Sequence, residues 1–168
     1  MSDVSPHISA NSRPPEDGAQ LYDILPFTID NRIFGVFNDQ VESTVEAKAF
    51  SRLPRTPRAI VGVVCVRGRM LTVLDATAAL KGEGKNWKQP LPHVIALRGD
   101  EQLGLAADSR RDTITVAAQD IEPSPDDATS EYPIVGSVKH GGDEILIFDT
   151  NRLFDSAVGR RERRRRRF

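Results

Sequence analysis

The sequence predicts an all-β protein built as two related lobes, and three observations carry that reading. Short runs enriched in Val, Ile, Thr and Phe recur along the chain, each is bounded by turn residues, and one block of runs and turns occurs twice. At 168 residues the length suits one ordinary domain rather than two that fold independently.

Residues 1–20 are mostly Ser, Pro, Asp, Asn and Gly. Such a composition buries too little apolar surface to offset the entropy of ordering, so a flexible leader is expected. From Leu21 the texture changes to "ILPFTID", "RIFGVF", "IVGVVCV", "MLTVLD", "HVIALRG", "QLGLAAD", "DTITVAA", "IVGSVK" and "EILIFD", separated by Asp30-Asn31, Arg67-Gly68, Gly99-Asp100 and Gly141-Gly142. Strands at that spacing suit a barrel or a sandwich. Helical signals are few: "ATAALKG" after Asp75 and "TNRLFDSAVG" after Asp149 each follow a strand, with the Asp as N-cap and a Gly at the far end.

Those two places align without a gap. "IVGVVCVRGRMLTVLDATAAL" on "IVGSVKHGGDEILIFDTNRLF" sets Gly62 on Gly136, Gly68 on Gly142, Leu71 on Ile145, Val73 on Ile147, Asp75 on Asp149 and Leu80 on Phe154. A weaker match of "FGVFNDQVESTV" on "LGLAADSRRDTI" sets Gly35 on Gly104, Asp39 on Asp108 and Val45 on Ile114. Two copies of one β unit with a groove between lobes follow, the second copy carrying extra residues around "EPSPDDATSEYP".

Candidate chemistry is sparse. Cys65 is the only cysteine, which rules out an intrachain disulfide and a cysteine-based zinc site, and it reads as strand packing. His7 in the leader, His93 before a strand and His140 in a turn show no spacing that would activate a nucleophile. Asp75 and Asp149 read as caps rather than as an acid/base pair. With no phosphate-loop glycines, H-E-x-x-H or G-x-S-x-G, the expectation is no catalytic residue, no metal, no cofactor and no small-molecule substrate. No apolar stretch is long enough for a membrane span, and "MSDVSPHISANSRPPEDG" lacks the basic and apolar regions of a signal peptide, so a soluble cytoplasmic protein is expected.

Two basic features remain. The Arg67-Gly68-Arg69 turn reads either as a soluble hairpin tip or as a rigid arginine fork held out for a partner carboxylate or carbonyl, between strands too apolar to lie at an exposed edge. The last ten residues hold seven arginines (Arg160, Arg161, Arg163, Arg164, Arg165, Arg166 and Arg167) and one glutamate, +6 in all; the total is −1, so residues 1–158 carry −7. Such a run, 159–168, is expected to be a disordered electrostatic tail. The acidic body, without an aromatic platform or an obvious basic stripe, argues against a dedicated nucleic-acid protein.

"LPRTPRAIVGVVCVRGRMLTVLD" resembles the signature of CheW-type chemotaxis adaptors: leucine-proline, a second proline, a glycine-valine strand, an Arg-Gly turn and an apolar strand ending in Asp. "FTIDNRIFGVFNDQVEST", "VIALRGDEQLGLAADSRRDTITV" and "IEPSP" resemble the family's other landmarks in order, over about residues 24–155. The resemblance implies two SH3-like five-stranded β barrels related by pseudo-duplication, with short capping helices, intertwined within residues 21–158. It implies a non-catalytic scaffold at membrane-bound receptor arrays. Its partners would be the cytoplasmic tip of methyl-accepting chemoreceptors and the regulatory domain of a CheA-type histidine kinase.

Carried over by position, Arg67 and Gly68 with Val41 and Gly62 would contact the receptor, its helical hairpin lying in a groove. Two departures are notable: the family often has Asn where Cys65 stands and an acidic residue near Ser43. A second reading recruits the domain through its arginine tail to nucleic acid or an anionic membrane, with binding that falls steeply with salt.

Overall fold

The computed structural model describes residues 20–81, 84–99, 101–124, 133–153 and 155; the leader up to residue 19 and the arginine tail 159–168 lie outside them. Among the described residues the chain runs through β1 (Leu21–Ile29), β2 (Arg32–Phe37), β3 (Val41–Ala47), β4 (Ile60–Val66), β5 (Arg69–Leu74), α1 (Ala76–Lys81), β6 (Leu91–Leu97) and β7 (Leu103–Ala107). It continues through β8 (Ser109–Arg110), β9 (Ile114–Ala117), β10 (Glu122–Pro123), β11 (Ile134–His140) and β12 (Asp143–Phe148). The all-β class and the repeated unit are both present. His93 lies within β6, not before it, and His140 ends β11.

The hairpin turns follow from local chemistry. Asp30 and Asn31, Arg67 and Gly68, and Gly141 and Gly142 all have positive φ at both central residues, the handedness that matches the twist of two-residue hairpins.

The strands form two sheets. One orders β10-β11-β12-β2-β1-β8 with β9 also on β1, and the other orders β3-β6-β7-β5-β4. Each therefore combines both sequence copies. The first lobe takes the β1–β2 hairpin from the first copy and β9, β11 and β12 from the second; the other lobe takes β6–β7 from the second copy and β3, β4 and β5 from the first.

Register confirms the exchange. β12 pairs parallel with β2 through Leu146–Phe34 and Ile147–Gly35, and β5 pairs parallel with β7 through Thr72–Leu103 and Val73–Gly104, positions that the internal alignment makes equivalent. The bulge between Ile60 and Gly62 in β4 recurs between Ile134 and Gly136 in β11.

Exchange places the core where neither copy could build it alone. Phe27, Phe34 and Phe148, all fully buried, bring their rings within 5.3 to 6.4 Å of one another, two from one copy and one from the other. One apolar cluster joins these rings to Leu71, Val73, Leu74, Ile95 and Leu105 of the second lobe, so the lobes share a core.

The repeated glycines mark places of close approach. A Cβ on Gly62 would stand 2.5 Å from the Ser51 carbonyl oxygen, where Ser51 and Val63 exchange two 2.9 Å backbone hydrogen bonds. A Cβ on Gly136 would collide with the Glu122 carbonyl in the same way. Both crossings need the chain pressed onto a strand with no side chain between.

Gly62→Ala and Gly136→Ala are each expected to cost about 2–3 kcal/mol, because backbone rather than a flexible side chain must give way. Gly68→Ala meets open space and should cost about 1 kcal/mol from its positive φ alone. Urea unfolding of the three variants checks this order, and equal losses would contradict it.

Candidate functional site

The site begins at the β4–β5 turn. Arg67 has φ 52° and Gly68 φ 78°, whereas the equivalent positions of the second copy are both glycine, at 60° and 86°. An arginine in the left-handed region costs about 1–2 kcal/mol that glycine avoids. Strained residues of this kind concentrate where a side chain must be presented. The Arg67 side chain is exposed, with no hydrogen bond or ion pair to another described residue.

Its neighbour is fixed. Arg69 Nη1 donates to Glu42 Oε1 at 2.8 Å and Oε2 at 3.0 Å, tying the start of β5 to the start of β3. Both partners are about two-fifths exposed, so the pair orients the turn more than it stabilises the fold. Val41, the first residue of β3, lies beside Glu42 and is held by Arg98 Nε donating to its carbonyl at 3.1 Å. The structure thus brings Val41 and the Arg67 turn to one end of the second lobe. Gly62 is not there: it is buried five residues back along β4, on the order of 16 Å away, where its role is the close crossing.

Two expectations need correction. The strands around the turn are apolar, yet β4 ends its sheet order, and among the described residues its outer edge is bridged at Val63 by Ser51. Cys65, expected as packing, is exposed on that strand opposite Met70, itself 56% exposed. Alternation explains this: Val64 and Leu71 point inward, which turns Cys65 and Met70 outward.

Sequence reasoning also missed two polar clusters. Asp75 does cap α1, Oδ1 accepting from the Thr77 amide at 2.9 Å, but the carboxylate is 1% exposed and Oδ2 also accepts from the Lys85 amide and from Trp87 Nε1, both at 2.8 Å. That one group ties the start of α1 to Lys85 and Trp87 on the way to β6. Asp149 caps in the same manner, Oδ1 accepting from the Asn151 amide at 3.1 Å.

From the pinned connection Lys85 Nζ reaches Asp108 at 2.6 Å and Asp30 at 3.0 Å, and the Asp30 amide donates to Asp108 at 2.8 Å. The cluster ties the second lobe's connection to the first lobe's opening turn. Partial burial acts to raise the Asp108 carboxyl, but the Lys85 and Asp30 hydrogen bonds and the Lys85 charge outweigh it and hold it below the usual carboxylate range. For Lys85 burial acts downward and is outweighed in turn by the hydrogen bonds and charges of Asp108 and Asp30, which raise its pKa.

Among the described residues no group of three or more His, Cys, Asp or Glu could hold a metal ion, and no helix is long and apolar enough to cross a membrane. The arginines from Arg160 to Arg167 lie outside the described residues.

The CheW-like domain profile matches residues 23–158, the span that holds both lobes. The chain belongs to the CheW-like domain family. It is 28% identical over 155 residues to Protein FrzA of Myxococcus xanthus, covering 89% of this chain and 92% of that one. With Chemotaxis protein CheW of Klebsiella aerogenes it shares 23% over 137 residues, covering 80% and 82%. The solved structure of scaffolding protein TtCheW from Thermoanaerobacter tengcongensis superposes with a TM-score of 0.66 at 24% identity, over 77% of this chain and 89% of that one, which shows the CheW-like fold. The two SH3-like barrels of that fold are the two sheets described above; the first also carries the two-residue strands β8 and β10.

Asp75→Ala strips a cap and leaves the buried Trp87 indole N–H without its acceptor, so a loss of about 2–4 kcal/mol is expected by urea unfolding. Asp108 carries a different signature. Its folded pKa is depressed, so its contribution is complete above the ordinary carboxylate value of about 4 and is lost as pH falls through the folded value. The stability gap between the natural chain and Asp108→Asn should therefore be present at neutral pH and shrink below about pH 4; a gap independent of pH would contradict the pairing.

Proposed function

We propose that this chain is a non-catalytic adaptor that couples methyl-accepting chemoreceptors to a CheA-type histidine kinase in a bacterial chemosensory array. The observation that carries the reading is the contrast between the two copies of the hairpin turn within a CheW-like domain. Where the second copy places two glycines, the first holds an arginine, without an ion-pair partner among the described residues, at a strained position.

In this reading Arg67 is the receptor-reading residue. Its planar fork suits paired hydrogen bonds to a carboxylate or to helix-end carbonyls, and the Arg69–Glu42 pair aims it. Gly68 permits the turn, Val41 supplies apolar contact alongside, and Gly62 acts from a distance by seating the strand that carries the arginine. Glu42, adjacent to Ser43, brings a carboxylate to the place where the family often has one. The kinase regulatory domain, itself of this fold in the family, would dock on another face of the lobes. The protein would then sit in the cytoplasm beside membrane-bound receptors, with no cofactor.

Titration calorimetry against a receptor-tip fragment and, separately, against the kinase regulatory domain tests this. Arg67→Glu is expected to weaken receptor binding at least about tenfold, in the range of a central arginine contact, while kinase binding and unfolding stay unchanged. Binding to neither partner would overturn the adaptor reading, and an unaltered receptor affinity would remove Arg67 from it.

A further inference from the structure

The net charge of the body conceals a basic surface. From Ala47 to Leu74 the chain has six basic residues and no acidic one, although residues 1–158 carry −7. Arg67 and Arg69 belong to the turn already described. The other four, Lys48, Arg52, Arg55 and Arg58, lie on the connection from β3 to β4, whose Ser51 bridges Val63, on the order of 13 Å along β4 from Arg67.

This connection is built rather than loose. The Arg52 guanidinium donates to the Trp87 carbonyl at 2.7 Å and stands over the Phe50 ring, 5.3 Å from its centroid. Gln89 Nε2 donates to the Phe50 carbonyl at 2.8 Å, Thr56 closes a turn onto Leu53, and Ser51 bridges to β4. These bonds lay residues 50–52 against 87–89, which brings Lys88 to the same surface. All five cations are exposed, and none has an ion-pair partner among the described residues, whereas Arg69, Lys85 and Arg111 are all paired. Leu53, 42% exposed, sits among them.

We propose that the Lys48–Arg58 connection, with Lys88, is a second contact surface, and that its occupant is a carboxylate-rich segment of a protein partner. Five unpaired cations around one exposed leucine fit acidic side chains flanking an apolar one, and a surface this basic on an acidic body attracts such a segment while the body repels polyanions elsewhere. Nucleic acid suits the surface less well. Its aromatic residues, Phe50 and Trp87, are 5% and 4% exposed and offer no face on which a base could stack. The inference is independent of the receptor reading, because it does not use Arg67.

The test is a nuclear magnetic resonance titration of the full chain with a peptide of about ten residues, glutamate throughout with one central leucine. A second protein, with Arg163→Ser, Arg164→Ser, Arg165→Ser, Arg166→Ser and Arg167→Ser, separates the tail from the surface. In both proteins the amides of 52, 53, 55, 56, 58 and 88 should shift saturably. Adding Arg55→Ser and Arg58→Ser, or Lys88→Ser alone, should weaken the shift-derived affinity, the double change by about tenfold. Shifts confined to 159–168, or unaltered by these changes, would overturn the proposal. So would tighter binding at the same amides by single-stranded DNA of equal charge or by phosphatidylserine vesicles.

Discussion

The structure depends on two short parallel ladders, β2 with β12 and β5 with β7, each joining strands from opposite copies of the repeated unit. Parallel pairing cannot be made by a tight turn, and here each ladder is completed by a strand from the other copy. The consequence is a core that neither copy owns. Phe27 and Phe34 meet Phe148 across the exchange, and the cluster continues into the second lobe without a break. Rigid placement of two faces on one body follows from that shared core, and an adaptor requires it.

On this symmetric frame, the two copies diverge in two places. The turn glycines, the bulges and the Asp caps recur in equivalent places because both lobes need the same backbone geometry. Arg67 departs from its glycine counterpart at an energetic cost that the fold does not require. The Lys85 cluster departs too: Asp108 is held by Lys85 and the Asp30 turn, while Asp39, its match in the repeat, lies in the short 3-10 turn between β2 and β3. The first is a feature held out to solvent, the second a tie between lobes.

Much of the frame was legible in the sequence because its signals are local. Turn residues such as Asp30-Asn31 and Gly141-Gly142 encode their own φ, Asp75 and Asp149 sit where caps belong, and the glycine pairs survive a gap-free alignment. The strand exchange was not legible, since a repeat fixes which residues are equivalent and leaves open whether partners come from the same copy. Glu42–Arg69 and Lys85–Asp30 join residues far apart in the chain, where composition gives no pairing rule. Cys65 misled because an apolar strand reads as interior until its place in the sheet order is known. The basic connection is hidden in the net charge because the body's carboxylates lie elsewhere in the chain.

The central claim is that one body holds two partners at once. Sedimentation velocity on a mixture of this chain, a receptor-tip fragment and a kinase regulatory domain tests it most directly, with the two partners chosen so that they do not bind each other. The account predicts a ternary species that forms only when this chain is present. Competition, in which the receptor fragment displaces the kinase domain, would contradict it.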